Sequence, residues 1–309
     1  MSRNTKPGIV FAHGIWALLA LTVLASGVAT HLSAQSAGHA TTAAKPTIIL
    51  VHGAWADASG WYDVTLALQA HGYKVMAVQN SLFSYAKDIE TTKRVLDAQQ
   101  GPIVVVGHSY GGAVITAAAA GNPNVKSLVY VAAFAPDSNE AVGALLQRYP
   151  DLGLGKALGP DAAGFLYIDA AKYPKVFANG LPPTQARAFA TAQKPIAGSA
   201  LGEPLTVAPA WKTVPSWYVV GTQDRAINPE LERFMAKRMN ARVTELPAGH
   251  LCRHPSRPGR FLKSRRKPRT SRAGRWIVTL ASIVPWRRRR ESPVGVAQVS
   301  SATEWQGME

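Results

Sequence analysis

The segment IVVVGHSYGG, residues 103–112, constrains the fold more than any other part of the chain. An apolar, β-branched run typical of a buried strand leads into a G-x-S-x-G turn, and the small residues AVITAAAA that follow are typical of a helix. A serine on such a sharp turn has a strained backbone and projects its hydroxyl from the end of a sheet. The flanking glycines leave room for the neighbouring strand and helix. Ser109 is therefore a candidate nucleophile.

The remainder of residues 45–250 alternates short apolar runs with helical stretches, which is typical of an α/β fold with a mainly parallel sheet and flanking helices. We predict strands at residues 47–51, 74–78, 103–106, 127–132, 216–220 and 243–246. We predict helices at residues 56–69, 84–99, 112–120 and 229–239, the last capped by Asn228 with Pro229 at its first position.

One long stretch interrupts this alternation. Residues 137–208 are rich in Ala, Gly and Pro, with helical pieces at residues 169–177 and 183–193 and no convincing strand. An insertion of this length between two strands predicts a helical lid over the carboxyl ends of the sheet.

A nucleophilic serine needs a base. His250 follows the last predicted strand, in the sequence ELPAGH, where a loop can carry an imidazole over the edge of the sheet. His254, four residues later, is the nearest alternative. The remaining histidines suit the role less well. His13, His31 and His39 fall in the signal segment and the stalk after it, His52 belongs to the loop at the end of the first strand, and His71 lies in a surface turn. The side chain of His108 is expected to point away from Ser109.

The base in turn needs an orienting carboxylate. Asp224, in YVVGTQD, lies at the carboxyl end of a predicted strand, and the order Ser, Asp, His is the order that a strand-turn-helix serine of this kind uses. Asp137, at the end of another strand, is the alternative. We interpret Asp57 and Asp63 as helix-start and surface residues.

The first strand ends in the loop HGAW. The backbone N–H groups of Ala54 and of Tyr110, the residue after the serine, are the expected oxyanion donors, because such donors face the charge that develops on an attacked carbonyl oxygen. Trp55 and Tyr110 would line the substrate pocket, although both side chains are equally compatible with core packing.

Charge and cysteine content exclude other classes. The formal net charge is +16, but residues 251–309 hold 14 Lys+Arg and only 3 Asp+Glu, so the preceding part of the chain is nearly neutral. This distribution of charge therefore disfavours a uniformly basic nucleic-acid-binding fold. A single cysteine, Cys252, excludes an internal disulfide and a multi-cysteine metal cluster.

The first residues have the pattern of an export signal. Arg3 and Lys6 precede the apolar run IWALLALTVLASGV, which small and polar residues follow. We predict a signal peptide at residues 1–34 and a periplasmic or secreted protein. An uncleaved membrane anchor is the alternative, because the preceding GIVFA lengthens the run.

The motifs HGAWADASGW, GHSYGGAVI and GTQDRAINPELERFMAKRM resemble the α/β-hydrolase superfamily, and most closely bacterial hydrolases related to plant methylesterases and hydroxynitrile lyases. The resemblance covers residues 45–250. It implies a serine hydrolase of small-molecule esters that uses Ser109, Asp224 and His250, with Ala54 and Tyr110 as oxyanion donors and with neither cofactor nor metal. Gly53 and Leu251 replace the threonine and lysine of the lyases, which favours ester hydrolysis.

The resemblance stops after His250. Related sequences continue with Ser-His-Pro and a closing helix, whereas residues 251–309 are basic and proline-rich. We predict a disordered tail and hypothesise that it is an out-of-frame extension of the domain at residues 35–250. The competing function is a catalytically impaired hydrolase-fold protein whose tail binds polyanions. We expect no specific nucleic-acid partner, and membrane contact only through the signal segment or weakly through the tail.

Overall fold

The computed structural model describes residues 45–252. The predicted signal peptide, His254 and nearly all of the predicted tail lie outside these residues, so those predictions stay predictions. Within residues 45–252, no helix combines the length and the apolar character that a membrane span requires.

A parallel sheet forms the centre of the domain. The strands of the described part are β1 Thr47–Val51, β2 Val75–Val78, β3 Ile103–Ser109, β4 Val125–Ala133, β5 Leu158–Pro160, β6 Phe165–Ile168, β7 Ile196–Ala197, β8 Ser216–Gly221 and β9 Arg242–Leu246. Six of them form one sheet in the order β2-β1-β3-β4-β8-β9, and every neighbouring pair is parallel. The predicted α/β architecture is confirmed.

Helices connect and cover these strands. They are α1 Tyr62–Ala70, α2 Tyr85–Asp97, α3 Tyr110–Ala118, α4 Val142–Leu146, α5 Tyr173–Val176, α6 Pro183–Thr191, α7 Gly198–Gly202 and α8 Pro229–Arg238, with short 3-10 helices at Ala58–Trp61, Gly155–Ala157 and Ala210–Lys212. The predicted cap of α8 is confirmed, because the Asn228 side chain accepts from the N–H of Glu230 at 3.0 Å.

The sheet has apolar side chains on both faces, which explains its near-continuous hydrophobic strands. Alternate residues of β1 enter different clusters: Ile49 packs on the side of α2 and α3, whereas Ile48 packs on the side of Trp61 and α1. Each cluster therefore contains every second residue of the strand.

The lid differs from the prediction. Helices α4 to α7 lie between β4 and β8, but the same stretch also holds β5, β6 and β7, which form a three-stranded antiparallel sheet. The expectation of a lid without strands is wrong. These strands have two to four residues each, too short to show a clear pattern, and the pairing of β6 with β7 joins segments about thirty residues apart, which a local pattern does not reveal.

Candidate active site

Ser109 lies at the junction of β3 and α3, with φ of 53° and ψ of −126°. This positive φ is unfavourable for a residue with a Cβ atom, and the close packing around the turn holds it in place. A Cβ atom on Gly107 would lie 2.7 Å from the carbonyl oxygen of Gly111, and one on Gly111 would lie 2.5 Å from that of His52. Glycine is thus required at both positions, as the motif predicts.

The three residues predicted to act together are in contact. Nε2 of His250 lies 3.0 Å from Oγ of Ser109, and its Nδ1 lies 2.6 Å from Oδ2 of Asp224. All three side chains are buried. Because a carboxylate only accepts, Nδ1 carries the proton and Nε2 is free to accept from the serine hydroxyl.

Asp224 is fixed by the loop that follows β8. Its Oδ1 accepts from the backbone N–H groups of Ala226 at 2.7 Å and Ile227 at 2.8 Å. These bonds hold the carboxylate in one orientation. Oδ2 is left to face His250.

The ring of His250 is enclosed by aromatic neighbours. The rings of Phe177, from the lid, and of His108 have their centroids 4.7 Å and 4.8 Å from that of His250. Gly249 allows the lid to approach, because a Cβ atom there would lie 2.3 Å from the carbonyl oxygen of Asn179. The lid therefore positions the loop that carries the imidazole.

The loop after β1 packs directly against the serine. A Cβ atom on Gly53 would lie 2.6 Å from Cβ of Ser109. Ala54, Trp55 and Tyr110 line a small cavity of about 10 Å³ together with Ser109 and His250, and the rest of its lining is apolar: Phe134, Val142, Leu146, Leu154, Leu201, Ala226 and Ile227. The residues predicted as oxyanion donors and pocket residues therefore lie beside the serine.

Trp55 links this loop to the lid. Its backbone has a positive φ of 55°, and its indole N–H donates to the carbonyl oxygen of Leu166 in β6 at 2.9 Å. Its ring also meets that of Phe177 edge to face, with centroids 5.8 Å apart. The lid and the loop are thus held to each other by a hydrogen bond and by an aromatic contact.

The alternative candidates lie in other surroundings. Asp137 pairs with Lys212 at 2.6 Å, His71 is exposed, and Asp57 caps the helix at Ala58–Trp61 as predicted. These contacts account for their side chains without a role beside the serine.

Two further histidines near the site are held neutral. Burial lowers the pKa of His108 to about 3, and its Nε2 donates to the carbonyl oxygen of His250 at 3.0 Å. Burial also lowers the pKa of His52, whose Nε2 accepts from the N–H of Asn80 at 3.0 Å. Both rings therefore hold the backbone in place rather than carry charge.

The sequence analysis missed three residues around this site: Phe177, Asp88 and Glu232. Asp88 is buried and accepts from Tyr110, and Glu232 is buried beside Asp224. Each is a charged or aromatic residue on a helix or in the lid, without a motif to mark it. One signal could have found Glu232: it occupies a position on the apolar, buried face of a helix, where a carboxylate is unexpected.

Within residues 45–252, no group of three or more His, Cys, Asp and Glu residues is arranged to hold a metal ion.

A serine on a strand-turn-helix junction, at the carboxyl edge of a parallel sheet and followed in sequence by Asp and His loops at the same edge, defines an α/β-hydrolase fold. The alpha/beta hydrolase family model matches residues 48–264, and the chain belongs to that family. The predicted resemblance is confirmed.

Individual relatives agree with this membership. The carbendazim hydrolyzing esterase of Nocardioides sp. (strain SG-4G) is 34% identical over 113 residues, which cover 32% of this chain and 47% of the relative. The chain thus spans about half the length of that protein. Methylesterase 2 of Arabidopsis thaliana is 25% identical over 222 residues, 62% of this chain and 83% of the relative.

A solved pyrethroid hydrolase from Sphingobium faniae JZ-2 has a similar fold. The two structures superpose with a TM-score of 0.61, covering 77% of this chain and 96% of that chain at 20% identity. At this identity the likeness supports the fold alone.

Proposed function

We propose that this chain is a serine esterase that cleaves a small-molecule carboxylic ester through an acyl-enzyme. The observation that carries the proposal is the buried chain of contacts from Ser109 Oγ to His250 Nε2 at 3.0 Å and from His250 Nδ1 to Asp224 Oδ2 at 2.6 Å. This is the arrangement that nucleophilic attack by a serine requires.

In the first half of the reaction, Oγ of Ser109 attacks the ester carbonyl carbon while Nε2 of His250 takes the hydroxyl proton. Asp224 holds the ring in the tautomer that can accept this proton and stabilises the imidazolium that results. The backbone N–H groups of Ala54 and Tyr110 are the proposed donors to the oxyanion. The C–O bond to the alcohol then breaks, and His250 returns the proton to the leaving oxygen.

In the second half, water attacks the acyl group on Ser109. His250 takes a proton from this water, and the acid is released as the serine oxygen recovers its proton. The groups needed for both halves are the same.

The apolar lining beside the serine favours a substrate whose acyl or alcohol group is apolar. Phe134, Leu154 and Leu201 contribute lining without charge. The two relatives above are named as esterases, which supports the same reaction class.

The test is labelling by a fluorophosphonate probe together with hydrolysis of a short p-nitrophenyl ester. We expect wild-type protein to be labelled at Ser109 and to show an initial burst of p-nitrophenol. Ser109→Ala should abolish both. Ser127→Ala is the matched control, because Ser127 is a buried serine of the same sheet whose hydroxyl has no partner in the described part of the chain.

Activity that persists in Ser109→Ala would contradict the proposal. Absence of labelling in wild-type protein, together with steeply salt-dependent binding to anionic vesicles or DNA, would instead support the impaired protein with a polyanion-binding tail.

We further propose that the protein is exported, since residues 1–34 have the pattern of a signal peptide. Amino-terminal sequencing of the mature protein from a periplasmic fraction should place its start near residue 35. A start at Met1 in the membrane fraction would indicate the uncleaved anchor.

A further inference from the structure

Glu232 is a carboxylate on the buried face of helix α8. It lies on α8 among the buried residues Leu231, Met235 and Ala236, and its own exposed fraction is 0%. Glutamate is almost never fully buried unless it is paired. The groups that contact Glu232 therefore determine its protonation state and its role.

The carboxyl group of Glu232 lies against Asp224. Its Oε2 accepts from the N–H of Gly221 at 3.2 Å, and the backbone N–H of Asp224 donates to the carbonyl oxygen of the same Gly221 at 2.9 Å, so both acids lie at one turn. Oε1 is buried, and no N–H or O–H group within residues 45–252 donates to it. Oε1 is therefore the oxygen that is free to carry a proton.

Two carboxyl groups in contact and removed from water cannot both be ionised, because the repulsion adds to the cost of desolvation. Asp224 accepts from Ala226, Ile227 and His250, and those bonds stabilise its charge. Within residues 45–252, Glu232 has a single such donor, Gly221. The proton of the pair therefore belongs on Glu232.

The other titratable groups around Glu232 do not reverse this assignment. Burial raises the pKa of Tyr218, on β8, and of Cys252, after β9, so both remain neutral. The guanidinium of Arg233 bonds instead to Glu230 and Glu245 at the surface. Burial, and then the charge of Asp224, raise the pKa of Glu232 well above its usual range.

We propose that Glu232 is a positioning residue of the active site: a neutral carboxylic acid that donates its Oε1–H to the Asp224 carboxylate and sets the charge with which Asp224 faces His250. This inference rests on the proposed function. The hydrogen bond disperses part of the Asp224 charge, so the imidazolium form of His250 is less favoured than beside a bare carboxylate.

Glu232→Gln tests the protonation state. A glutamine has the shape of protonated glutamate and the same bonding pattern, with an amide N–H for Asp224 and an oxygen for Gly221. Wild-type protein must take up a proton at Glu232 when it folds at pH 7, whereas the variant does not. We therefore expect Glu232→Gln to raise Tm at pH 7, and the gain to vanish near pH 4, where the unfolded glutamate is also protonated.

Glu230→Gln is the matched control, since Glu230 is an exposed residue of the same helix. It should show no such gain at pH 7. A lower Tm for Glu232→Gln at pH 7 would mean that Glu232 is ionised in the folded protein, and would overturn the proposal. The infrared difference spectrum between wild-type protein and Glu232→Gln gives a second reading: a protonated carboxyl band supports the proposal, and a carboxylate band overturns it.

Glu232→Leu tests the positioning role. We expect kcat to fall about tenfold with little change in KM, because Asp224 loses one hydrogen bond while the substrate cavity keeps its lining. The acidic limb of the kcat/KM profile should move to higher pH, and Glu232→Gln should restore both. A purely structural role would lower Tm in Glu232→Leu and leave the acidic limb in place, which would overturn the positioning role.

The two proposals can fail separately. Absence of esterase activity in wild-type protein would contradict the proposed function. The comparison of Tm with pH, which needs no substrate, would still decide whether Glu232 keeps its proton.

Discussion

The phenol of Tyr110 donates to Oδ2 of Asp88 at 3.1 Å, so the residue that follows Ser109 is tied to a buried carboxylate on α2. The other oxygen of Asp88 accepts from the N–H groups of Ser81 and Leu82 at 2.8 Å and 3.1 Å. One carboxylate thus joins the proposed oxyanion donor to the loop before α2.

Tyr110→Phe should destabilise the fold. The substitution removes a charge-assisted hydrogen bond and leaves a buried carboxylate oxygen without this donor, which typically costs about 1–3 kcal/mol. Tyr85→Phe is the control, because the Tyr85 phenol, in edge contact with the Tyr110 ring, donates to a neutral acceptor, the carbonyl oxygen of Ala113. Urea unfolding should show the larger loss for Tyr110→Phe, and an equal or smaller loss would contradict this account.

Gly53→Ala should impair both packing and activity. The new methyl group would lie 2.6 Å from Cβ of Ser109 and 3.0 Å from the carbonyl oxygen of His108, so one of two buried loops must shift. Overpacking of this kind costs about 1–3 kcal/mol, and the shift displaces the serine. Both the free energy of unfolding and kcat for a p-nitrophenyl ester should fall.

Gly60→Ala provides the comparison for Gly53→Ala. A Cβ atom on Gly60 would meet nothing within 4 Å. We expect a change in the free energy of unfolding within about 0.5 kcal/mol and unchanged kcat. If Gly53→Ala behaved like Gly60→Ala, the close packing of the two loops would not constrain the serine.

The protein should lose stability in acid because of its buried histidines. Burial lowers the pKa of His108 to about 3, so below its ordinary pKa of 6.5 the unfolded chain binds a proton there that the folded protein excludes. Stability therefore falls as the pH decreases from 6.5 towards 3, by several kcal/mol at about 1.4 kcal/mol per pKa unit. Burial lowers the pKa of His52 as well, which adds to the effect.

His108→Gln should reduce this acid sensitivity, since glutamine can donate to the carbonyl oxygen of His250 and has no proton to exclude. His71→Gln, at an exposed position, should leave it unchanged. The measurement is the free energy of unfolding in urea between pH 4 and pH 7. Parallel pH curves for wild-type protein and His108→Gln would contradict the assignment.

The inner strands of the central sheet, β1, β3, β4 and β8, could be predicted because they are covered on both faces. Such strands are nearly continuous apolar runs, and β1 has the predicted bounds, Thr47–Val51. The lid strands could not be predicted in the same way: Leu158–Pro160 contains glycine and proline and is largely exposed, and it exists only because Phe165–Ile168 pairs with it.

Some residues of the candidate site could likewise be predicted from the sequence, and others could not. Ser109 ends a strand, and Asp224 and His250 each follow one at the same edge of the sheet, so topology and motif together bring them close. Asp88 and Glu232 lie on helices, where a carboxylate is usually solvated. Their burial depends on Tyr110 and Asp224, from other parts of the chain, and no spacing rule indicates such pairs.

Asp224→Asn should lower kcat more than any change at the alternative acid, Asp137. An asparagine oxygen can still accept from Ala226 and Ile227, but its amide group then meets Nδ1 of His250 as a second donor. The ring must change tautomer, and Nε2 then carries a proton towards Ser109 and cannot accept one. Loss of the correct tautomer in a Ser-His-Asp arrangement costs about 10⁴ in kcat.

Asp137→Asn is the control for this prediction. It breaks a partly exposed ion pair with Lys212, so we expect kcat to stay the same. Both variants should keep their near-ultraviolet circular dichroism, and steady-state hydrolysis of a p-nitrophenyl ester measures the difference. If the large loss occurred in Asp137→Asn instead, Asp137 would be the acid of the active site, and the hydrogen bond between Asp224 and His250 would be structural only.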